Sequence, residues 1–195
     1  MRALIFDVEA NGTPQPQVCQ LAYLISDGAR LEARNFFFRV SAMNPHAYKV
    51  HHLSMKALDK LSGGRTFADH AREICRDFYW AEVYIGHGVS GDMDYLRREF
   101  ERLALALPER RRFCTMRHFT GRCGGELPGG KPKPPSLSEL WTHYGLTEPE
   151  IATFAAQTFG AGAVAHDARF DAAATYLALR RAQAAGELPR GVLDD

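Results

Sequence analysis

The chain has 195 residues, enough to bury a proper hydrophobic core, and its 46% hydrophobic and 24% charged residues are typical of an ordinary soluble globular protein. Its 24 basic and 23 acidic residues nearly balance, so overall charge points neither to nucleic acid nor to membrane. The four cysteines lack C-x-x-C spacing and nearby paired histidines, which argues against zinc and favours reduced thiols. Without a bilayer-spanning stretch or a signal-peptide profile, we expect a cytoplasmic protein with no membrane partner.

The first predicted element is a strand within MRALIFDVEANG. Alternate residues of a strand share a face, so Asp7 and Glu9 lie beside Ile5, whereas Phe6 and Val8 take the other face. Both faces are largely apolar, as in a central strand covered on both sides. Two carboxylates there stay ionised only if a cation is supplied, unless they simply lie at a solvated strand end.

The next elements predict an antiparallel meander. A turn at residues 12–16 is followed by strands at VCQLAYLIS and LEARNFFFRV, joined through Asp27-Gly28, a strong hairpin signal. The pattern then predicts helices at 46–61 and 66–80, a buried strand at 82–86, a helix from about 92 to 105 and a strand at 112–116. Residues 121–135 are all breakers and form a loop, a capping box at 136–139 opens the next helix, and a last helix runs from about 167 to 185.

Strands that come first as a meander and then alternate with helices indicate an α/β fold with a mixed sheet and helices on both faces. There is no internal repeat and no interdomain linker. We therefore expect a single domain over residues 1–195, with a flexible loop at about 121–135 and a carboxyl-terminal tail at about 187–195.

Asp92 begins a predicted helix whose apolar row is Leu96, Phe100 and Leu103, so it heads the inward face. Asp94 lies on the solvated face. An acid at a helix start can also merely complement the positive end of the helix dipole, and Asp92 alone does not distinguish these roles.

Asp171 lies in the first turns of the last predicted helix, whose inward row of small residues allows a close approach to a sheet. The same dipole role is open to it. His166 precedes this helix in a turn, where either His166 or Asp167 can serve simply as a cap.

Together, four acids occupy places where a central strand and two helices can converge, and a histidine lies beside the last. Such a set can hold two divalent cations, about 3.5–4 Å apart, that clamp a phosphodiester. Carboxylate oxygens suit Mg²⁺ or Mn²⁺ better than zinc. A histidine near neutrality can take the proton from the attacking water.

Three stretches then resemble the motifs of the DEDDh 3′-to-5′ exonucleases, which include proofreading polymerase subunits, ribonuclease T and oligoribonuclease. FDVEANG resembles the first motif, Asp-x-Glu, and HGVSGDMDYL at 87–96 resembles the second, H-N-x-x-F-D-x-x-F-L. HDARFD at 166–171 matches the third, H-x-A-x-x-D, at every fixed position. YKVHHLS at 48–54 is a weaker match to a segment that follows the third strand. In order and spacing, the three motifs span nearly the whole chain.

This resemblance implies a ribonuclease-H-like fold: a five-stranded mixed sheet of three antiparallel and then parallel strands, with the active site at the central strand. It implies that Asp7, Glu9, Asp92 and Asp171 ligate two divalent cations, Mg²⁺ or Mn²⁺. His166 is then the general base, and Glu9 is the second residue counted as catalytic. The implied substrate is the 3′ end of single-stranded DNA or RNA, released as nucleoside 5′-monophosphates, and a homodimer is a further possibility.

Two glycines depart from the second motif. Gly88 and Gly91 stand where the family often has Asn and Phe. The absent Asn weakens support for the metal shell or the substrate, and the absent Phe removes packing beside Asp92. Every acid is retained, so we expect the metal chemistry to persist, with rate and substrate preference open.

The sequence gives less information about which residues contact the substrate. Seven basic residues between 108 and 135 stand against only Glu109 and Glu126. The seven are Arg110, Arg111, Arg112, Arg117, Arg122, Lys131 and Lys133. A basic segment with a long Gly/Pro loop can track a phosphate backbone, or it can be a solvated surface loop, and no substrate-binding residue is assigned.

Two other functions fit part of the pattern. FDVEANGT superficially resembles the D-x-D-G-T signature of haloacid-dehalogenase-type phosphatases, but the second acid is Glu, Gly-Thr is displaced and the early chain is a meander. A catalytically weak or inactive nucleic-acid-binding accessory protein of the same fold agrees with the glycines around Asp92 and disagrees with the presence of all four acids. The choice between DNA and RNA depends on contacts near the terminal sugar and stays open.

Overall fold

The computed structural model describes residues 1–28, 30–160 and 162–193. Five strands form its main sheet: β1 (Ala3–Ala10), β2 (Val18–Ser26), β3 (Leu31–Phe37), β4 (Val83–Gly86) and β5 (Arg111–Cys114). Their spatial order is β3-β2-β1-β4-β5, with antiparallel pairing from β3 to β1 and parallel pairing from β1 to β5. The predicted mixed sheet is confirmed, and β1 is its central strand. The first three strands form an antiparallel meander, which differs from the early βα alternation of a haloacid-dehalogenase fold.

Eight helices surround this sheet in the described ranges: α1 (Pro45–His51), α2 (Met55–Ser62), α3 (Phe67–Trp80), α4 (Val89–Arg102), α5 (Thr115–His118), α6 (Leu137–His143), α7 (Glu148–Phe159) and α8 (Ala168–Ala184). A short hairpin of β6 (Glu126–Leu127) and β7 (Lys131–Pro132) lies within the stretch predicted as a loop. None of the helices that the structure describes is long and apolar enough to cross a membrane.

The two faces of β1 belong to two separate cores, as the alternation in its sequence predicts. Leu4 and Phe6 pack with the inward residues of α3 and α4. Ala3 and Ile5 pack with those of α6, α7 and α8. Each fully buried large apolar side chain stabilises the fold by about 1.5–3 kcal/mol relative to exposure. Helices therefore cover both faces, and Asp7 and Glu9 lie on the face of Ile5, toward α8.

Several boundaries differ from the prediction for local reasons. The helix predicted over 46–61 is two helices, because His52 adopts a left-handed conformation (φ 58°) and Ser54 caps a new start. α4 begins three residues earlier than predicted, because Gly88 (φ 100°) allows a turn directly after β4. α7 was not predicted, although Thr147 and Glu150 form a capping box at its start.

The predicted carboxyl-terminal tail lies partly outside the described residues, which end at residue 193. Within the described part, Val192 and Leu193 are buried and pack in the same core as α8. The last residues described are thus part of the core on the face of the sheet that carries Asp7 and Glu9.

Candidate active site

The central strand β1 extends beyond the end of its parallel neighbour β4, and its two acids lie in the part that extends. β1 pairs with β4 only over Ala3–Ile5, whereas its pairing with β2 continues until Glu9 lies opposite Gln20. Asp7 therefore lies beyond the carboxyl end of β4, at an open edge of β1. Ligands of α/β proteins bind in crevices of this kind, outside the carboxyl ends of parallel strands.

Helix α8 brings a third acid to this edge. One carboxylate oxygen from each of Asp7, Glu9 and Asp171 lies within 4.8 Å of the other two. The approach is close because the inward residues of α8 next to the sheet are small, including the fully buried Ala174 and Ala178. Three carboxylates from a strand and a helix thus share one small volume.

Helix α4 supplies the fourth acid from the other face of the sheet. Asp92 lies in its first turn, and the Oδ2 atom of Asp92 is buried without a hydrogen-bond partner. A Cβ atom at Gly86 would lie 3.4 Å from this oxygen and 3.1 Å from the carbonyl oxygen of Phe6. Glycine at the end of β4 therefore lets α4 place Asp92 next to β1. Asp92 is not one of the three residues whose oxygens lie within 4.8 Å of one another, but its charge acts on Asp7 and Glu9.

Burial and neighbouring negative charges raise the pKa values of all four carboxyl groups. Burial, followed by the charge of Asp171, raises the pKa of Glu9 to about 9 and that of Asp92 to about 8. Burial, followed by the charges of Asp92 and Asp171, raises the pKa of Asp7 well above its ordinary value. Burial also raises the pKa of Asp171 to about 7, although the nearby backbone N–H of His166 opposes this rise.

These observations fit a site for hard divalent cations. The charges that act most strongly on Asp7 and Glu9 are all negative, so the cluster itself does not neutralise them. A bound cation supplies the missing charge, and carboxylate oxygens are the ligands that Mg²⁺ and Mn²⁺ prefer. The unpartnered Oδ2 of Asp92 is an oxygen that such a cation can satisfy.

His166 is exposed in the turn immediately before α8. Its backbone N–H is close enough to Asp171 to lower the pKa of that carboxyl group, so the residue lies beside the acidic cluster. Of the two capping candidates, Asp167 caps the helix by accepting a hydrogen bond from the N–H of Arg169. The imidazole of His166 is thus not engaged as the cap.

The neighbouring acid on α4 has a different environment. Asp94 is 61% exposed and pairs with Arg97 one turn later, with an Nη1–Oδ1 distance of 2.9 Å. Gly91 is exposed, and a Cβ there would find nothing within 4 Å. A first side-chain atom at position 91 therefore enters open space and packs against no part of the described structure.

A polar network that the sequence analysis missed joins the start of α8 to β2. Gln20, fully buried, donates to the carboxylate of Asp167 (2.9 Å) and accepts from the N–H of Ala168 (3.3 Å). A polar residue inside the apolar run VCQLAYLIS, opposite Glu9, was the available signal.

The basic residues between 108 and 135 separate into two groups. Arg110, Arg111 and Arg112 lie at the amino end of β5, whereas the acids lie beyond the carboxyl ends of the parallel strands. The remaining four follow the carboxyl end of β5, where Lys133 pairs with Glu139 at 2.6 Å and Arg122 with Glu187 at 3.8 Å. The segment is therefore not a continuous basic track.

The segment that carries the second group, which runs from α5 into the loop before α6, is attached near the site. The Nε2 of His87 donates to the carbonyl of Pro135 at 3.0 Å, and its Nδ1 lies 2.9 Å from Thr115 Oγ1. Burial lowers the pKa of His87, consistent with a neutral ring in this position. His87 directly follows Gly86, the glycine that faces Asp92. The hydrogen bond from His87 to Pro135 therefore places the end of the loop close to the acidic cluster.

No protein-family model and no curated protein matches the chain, but solved structures share its fold. E. coli exonuclease I in complex with a dA16 oligonucleotide superposes with a TM-score of 0.65 and 17% identity, over 94% of this chain and 41% of that one. Cell-death related nuclease 4 (CRN-4) gives a TM-score of 0.70 at 14% identity, over 95% and 64%. A full-length 3′-exonuclease gives 0.55 at 11%, over 95% and 61%.

At these identities the likeness is one of fold. It confirms the predicted fold class, a ribonuclease-H-like mixed five-stranded sheet with helices on both faces, which exonuclease I, CRN-4 and the 3′-exonuclease share. The chain spans about two fifths of exonuclease I and less than two thirds of the other two proteins.

Proposed function

We propose that the protein is a metal-dependent 3′-to-5′ exonuclease that acts on single-stranded DNA or RNA. The observation that carries the proposal is the convergence of four carboxylates from β1, α4 and α8, one of which has a buried oxygen without a partner. The fold shared with solved exonucleases supports it, and E. coli exonuclease I has been solved with a dA16 oligonucleotide and with single-stranded DNA.

In this proposal Asp7, Glu9, Asp92 and Asp171 hold two divalent cations, Mg²⁺ or Mn²⁺. Bound cations of this kind stabilise negative charge on the attacking and leaving oxygens of a phosphodiester. By holding the cations, the four side chains would determine where the scissile phosphate binds, at the open edge of β1. His166, exposed beside Asp171, accepts the proton of the attacking water.

The test uses 5′-labelled DNA and RNA oligonucleotides with free or blocked 3′ ends, in the presence of Mg²⁺, Mn²⁺ or EDTA. We expect stepwise shortening of free 3′ ends that requires metal, with nucleoside 5′-monophosphates as products. The matched control is Asp7→Asn, which keeps the size of the side chain and removes its charge.

Absence of metal-dependent shortening on both polymers contradicts the proposal. Equal shortening of free and blocked ends contradicts the exonuclease assignment. Binding of the oligonucleotides without any shortening indicates instead an accessory nucleic-acid-binding protein of the same fold.

A further inference from the structure

The backbone of His166 adopts a conformation that its surroundings must maintain. Its φ is 63°, in the left-handed region, which costs a non-glycine residue about 1–3 kcal/mol. Its backbone N–H lies close to the carboxylate of Asp171. The next residue, Asp167, donates its own N–H to the carbonyl of Val164 at 3.0 Å, which closes the turn. These backbone contacts define the turn but do not attach it to the sheet.

In the described residues, the hydrogen bonds that attach the start of α8 to the sheet come from one side chain, Gln20 of β2. Its Nε2 donates to Asp167 Oδ1 at 2.9 Å and to Asn35 Oδ1 at 3.0 Å, and its Oε1 accepts from the N–H of Ala168 at 3.3 Å. All the polar atoms of the Gln20 amide are thus in use inside the core. Two of the three contacts go to the residues that follow His166.

The carboxylate of Asp167 is held on its other side as well. Arg169 donates to both of its oxygens, at 2.9 Å from Nε and 2.6 Å from Nη2. The guanidinium of Arg169 lies over the ring of Phe37, 5.6 Å from its centroid. Asp167 therefore has little freedom to rotate, and Gln20 fixes it relative to β2 and β3.

Gln20 also lies directly opposite Glu9 in the register of β1 and β2. The same side chain thus neighbours a proposed ligand on β1 and holds the turn that presents His166. We propose that Gln20 is a positioning residue that holds the His166 turn in its left-handed conformation over the acidic cluster. This inference rests on the proposed function, in which His166 is the general base.

The first test replaces Gln20 by Met, which keeps the length of the side chain and removes its three hydrogen bonds. We expect kcat to fall about 10- to 100-fold, because small displacements of a reacting group have costs of this size. KM and the affinity for Mn²⁺, measured by calorimetry on the protein without nucleic acid, should change less than about twofold. Gln17→Met is the matched control, because Gln17, just before β2, accepts hydrogen bonds from the N–H and the hydroxyl of Ser41 and does not hold the start of α8.

A double-variant cycle separates positioning from general damage. In a His166→Ala background, Gln20→Met should lower kcat no further, because a residue that acts through His166 has nothing left to position. An additive loss in the double variant overturns the inference. So does a Gln20→Met variant that changes Mn²⁺ affinity or KM instead of kcat.

The reversed pair tests the same contact without placing an apolar side chain in the core. Gln20→Glu alone sets a carboxylate against Asp167 and should reduce kcat. Combining it with Asp167→Asn restores a donor–acceptor pair with the same total charge, and an Asn still caps the helix. We expect at least tenfold recovery of kcat over Gln20→Glu, and no recovery contradicts the inference. If the unaltered protein shows no metal-dependent cleavage, the proposed function fails, whereas normal kcat in Gln20→Met shows failure of the positioning role alone.

Discussion

Two acids two positions apart on α4 have opposite surroundings. Asp92 faces the cluster with a buried, unpartnered oxygen, and Asp94 is largely exposed in an ion pair with Arg97. An exposed ion pair of this kind contributes little, about 0–1 kcal/mol. The difference follows from helical spacing, since Asp92 shares its face with the fully buried Leu96 and Phe100.

This contrast predicts the outcome of a matched pair of substitutions. Asp92→Asn should lower the rate of metal-dependent cleavage by more than about 100-fold. Substitution of residues that only support metal ligands already lowers activity or metal affinity about 10- to 100-fold. Asp94→Asn should leave the rate within about twofold. Initial rates on a labelled oligonucleotide at saturating Mn²⁺ measure both. Comparable losses in the two variants, or the larger loss in Asp94→Asn, contradict the assignment of Asp92.

At the scale of secondary structure, three elements from different parts of the chain form the site. β1 offers two acids on one face, α8 approaches from that face, and α4 reaches the same edge from the opposite side. The meeting is possible because β4 ends at Gly86, level with the backbone of Phe6. We infer that an alanine at position 86 disturbs Asp92 more than its small size suggests.

The segment after β5 leads to a second prediction at this scale. Arg117 and Lys131 are exposed, and no acidic partner is seen for either within the ranges that the structure describes. Replacing both by Ala should raise KM for oligonucleotides and reduce the steepness of its salt dependence, because fewer phosphate contacts release fewer counterions. KM measured from 50 to 200 mM salt tests this.

Arg111→Ala is the control for that experiment, because Arg111 lies at the opposite end of β5 from the segment that bears Arg117 and Lys131. An equal effect of Arg111→Ala indicates a general charge effect. No change in KM or salt dependence for the double variant shows that this segment does not contact the strand.

The sequence predicts these elements well where periodicity is strong and less well where single residues decide. The β2 bounds are as predicted, β1 lies within the predicted stretch, and α3 and β4 each begin one residue later than predicted, because their apolar patterns are long or continuous. The division of the helix predicted over 46–61 depends on one left-handed residue, His52, which periodicity does not reveal. The tie between Gln20 and Asp167 joins residues 147 positions apart, and no local pattern encodes it.

For the molecule as a whole, the site is a region where charge repulsion opposes folding. Carboxyl groups that ionise near pH 4 in an unfolded chain have a pKa of about 7 for Asp171, about 8 for Asp92 and about 9 for Glu9 in the folded protein. Burial is the largest cause in each case, followed by neighbouring negative charges for Asp92 and Glu9. The fold holds them in place through the two apolar cores on either side of β1.

Linkage gives the sign of the resulting pH dependence. Between about pH 4 and pH 9 the folded, metal-free protein binds more protons at these groups than the unfolded chain does. Its free energy of unfolding therefore falls as the pH rises through this window. We expect the unfolding temperature without metal to be lower at pH 8.5 than at pH 5.5 by at least about 2–4 °C, the equivalent of 1 kcal/mol in a chain of this size.

Addition of Mn²⁺ should reverse this trend, because the cation binds the ionised carboxylates of the folded state and competes with protons. The rise in unfolding temperature on adding Mn²⁺ should be larger at pH 8.5 than at pH 5.5. Asp92→Asn removes one of the repelling charges, so its metal-free form should lose less stability between the two pH values than the unaltered protein. Differential scanning calorimetry in EDTA and in Mn²⁺ measures all three quantities. An unfolding temperature that is constant or rises with pH in EDTA contradicts the interpretation of the acids as a cation site that repulsion destabilises without metal. An equal pH response in Asp92→Asn contradicts the part assigned to Asp92.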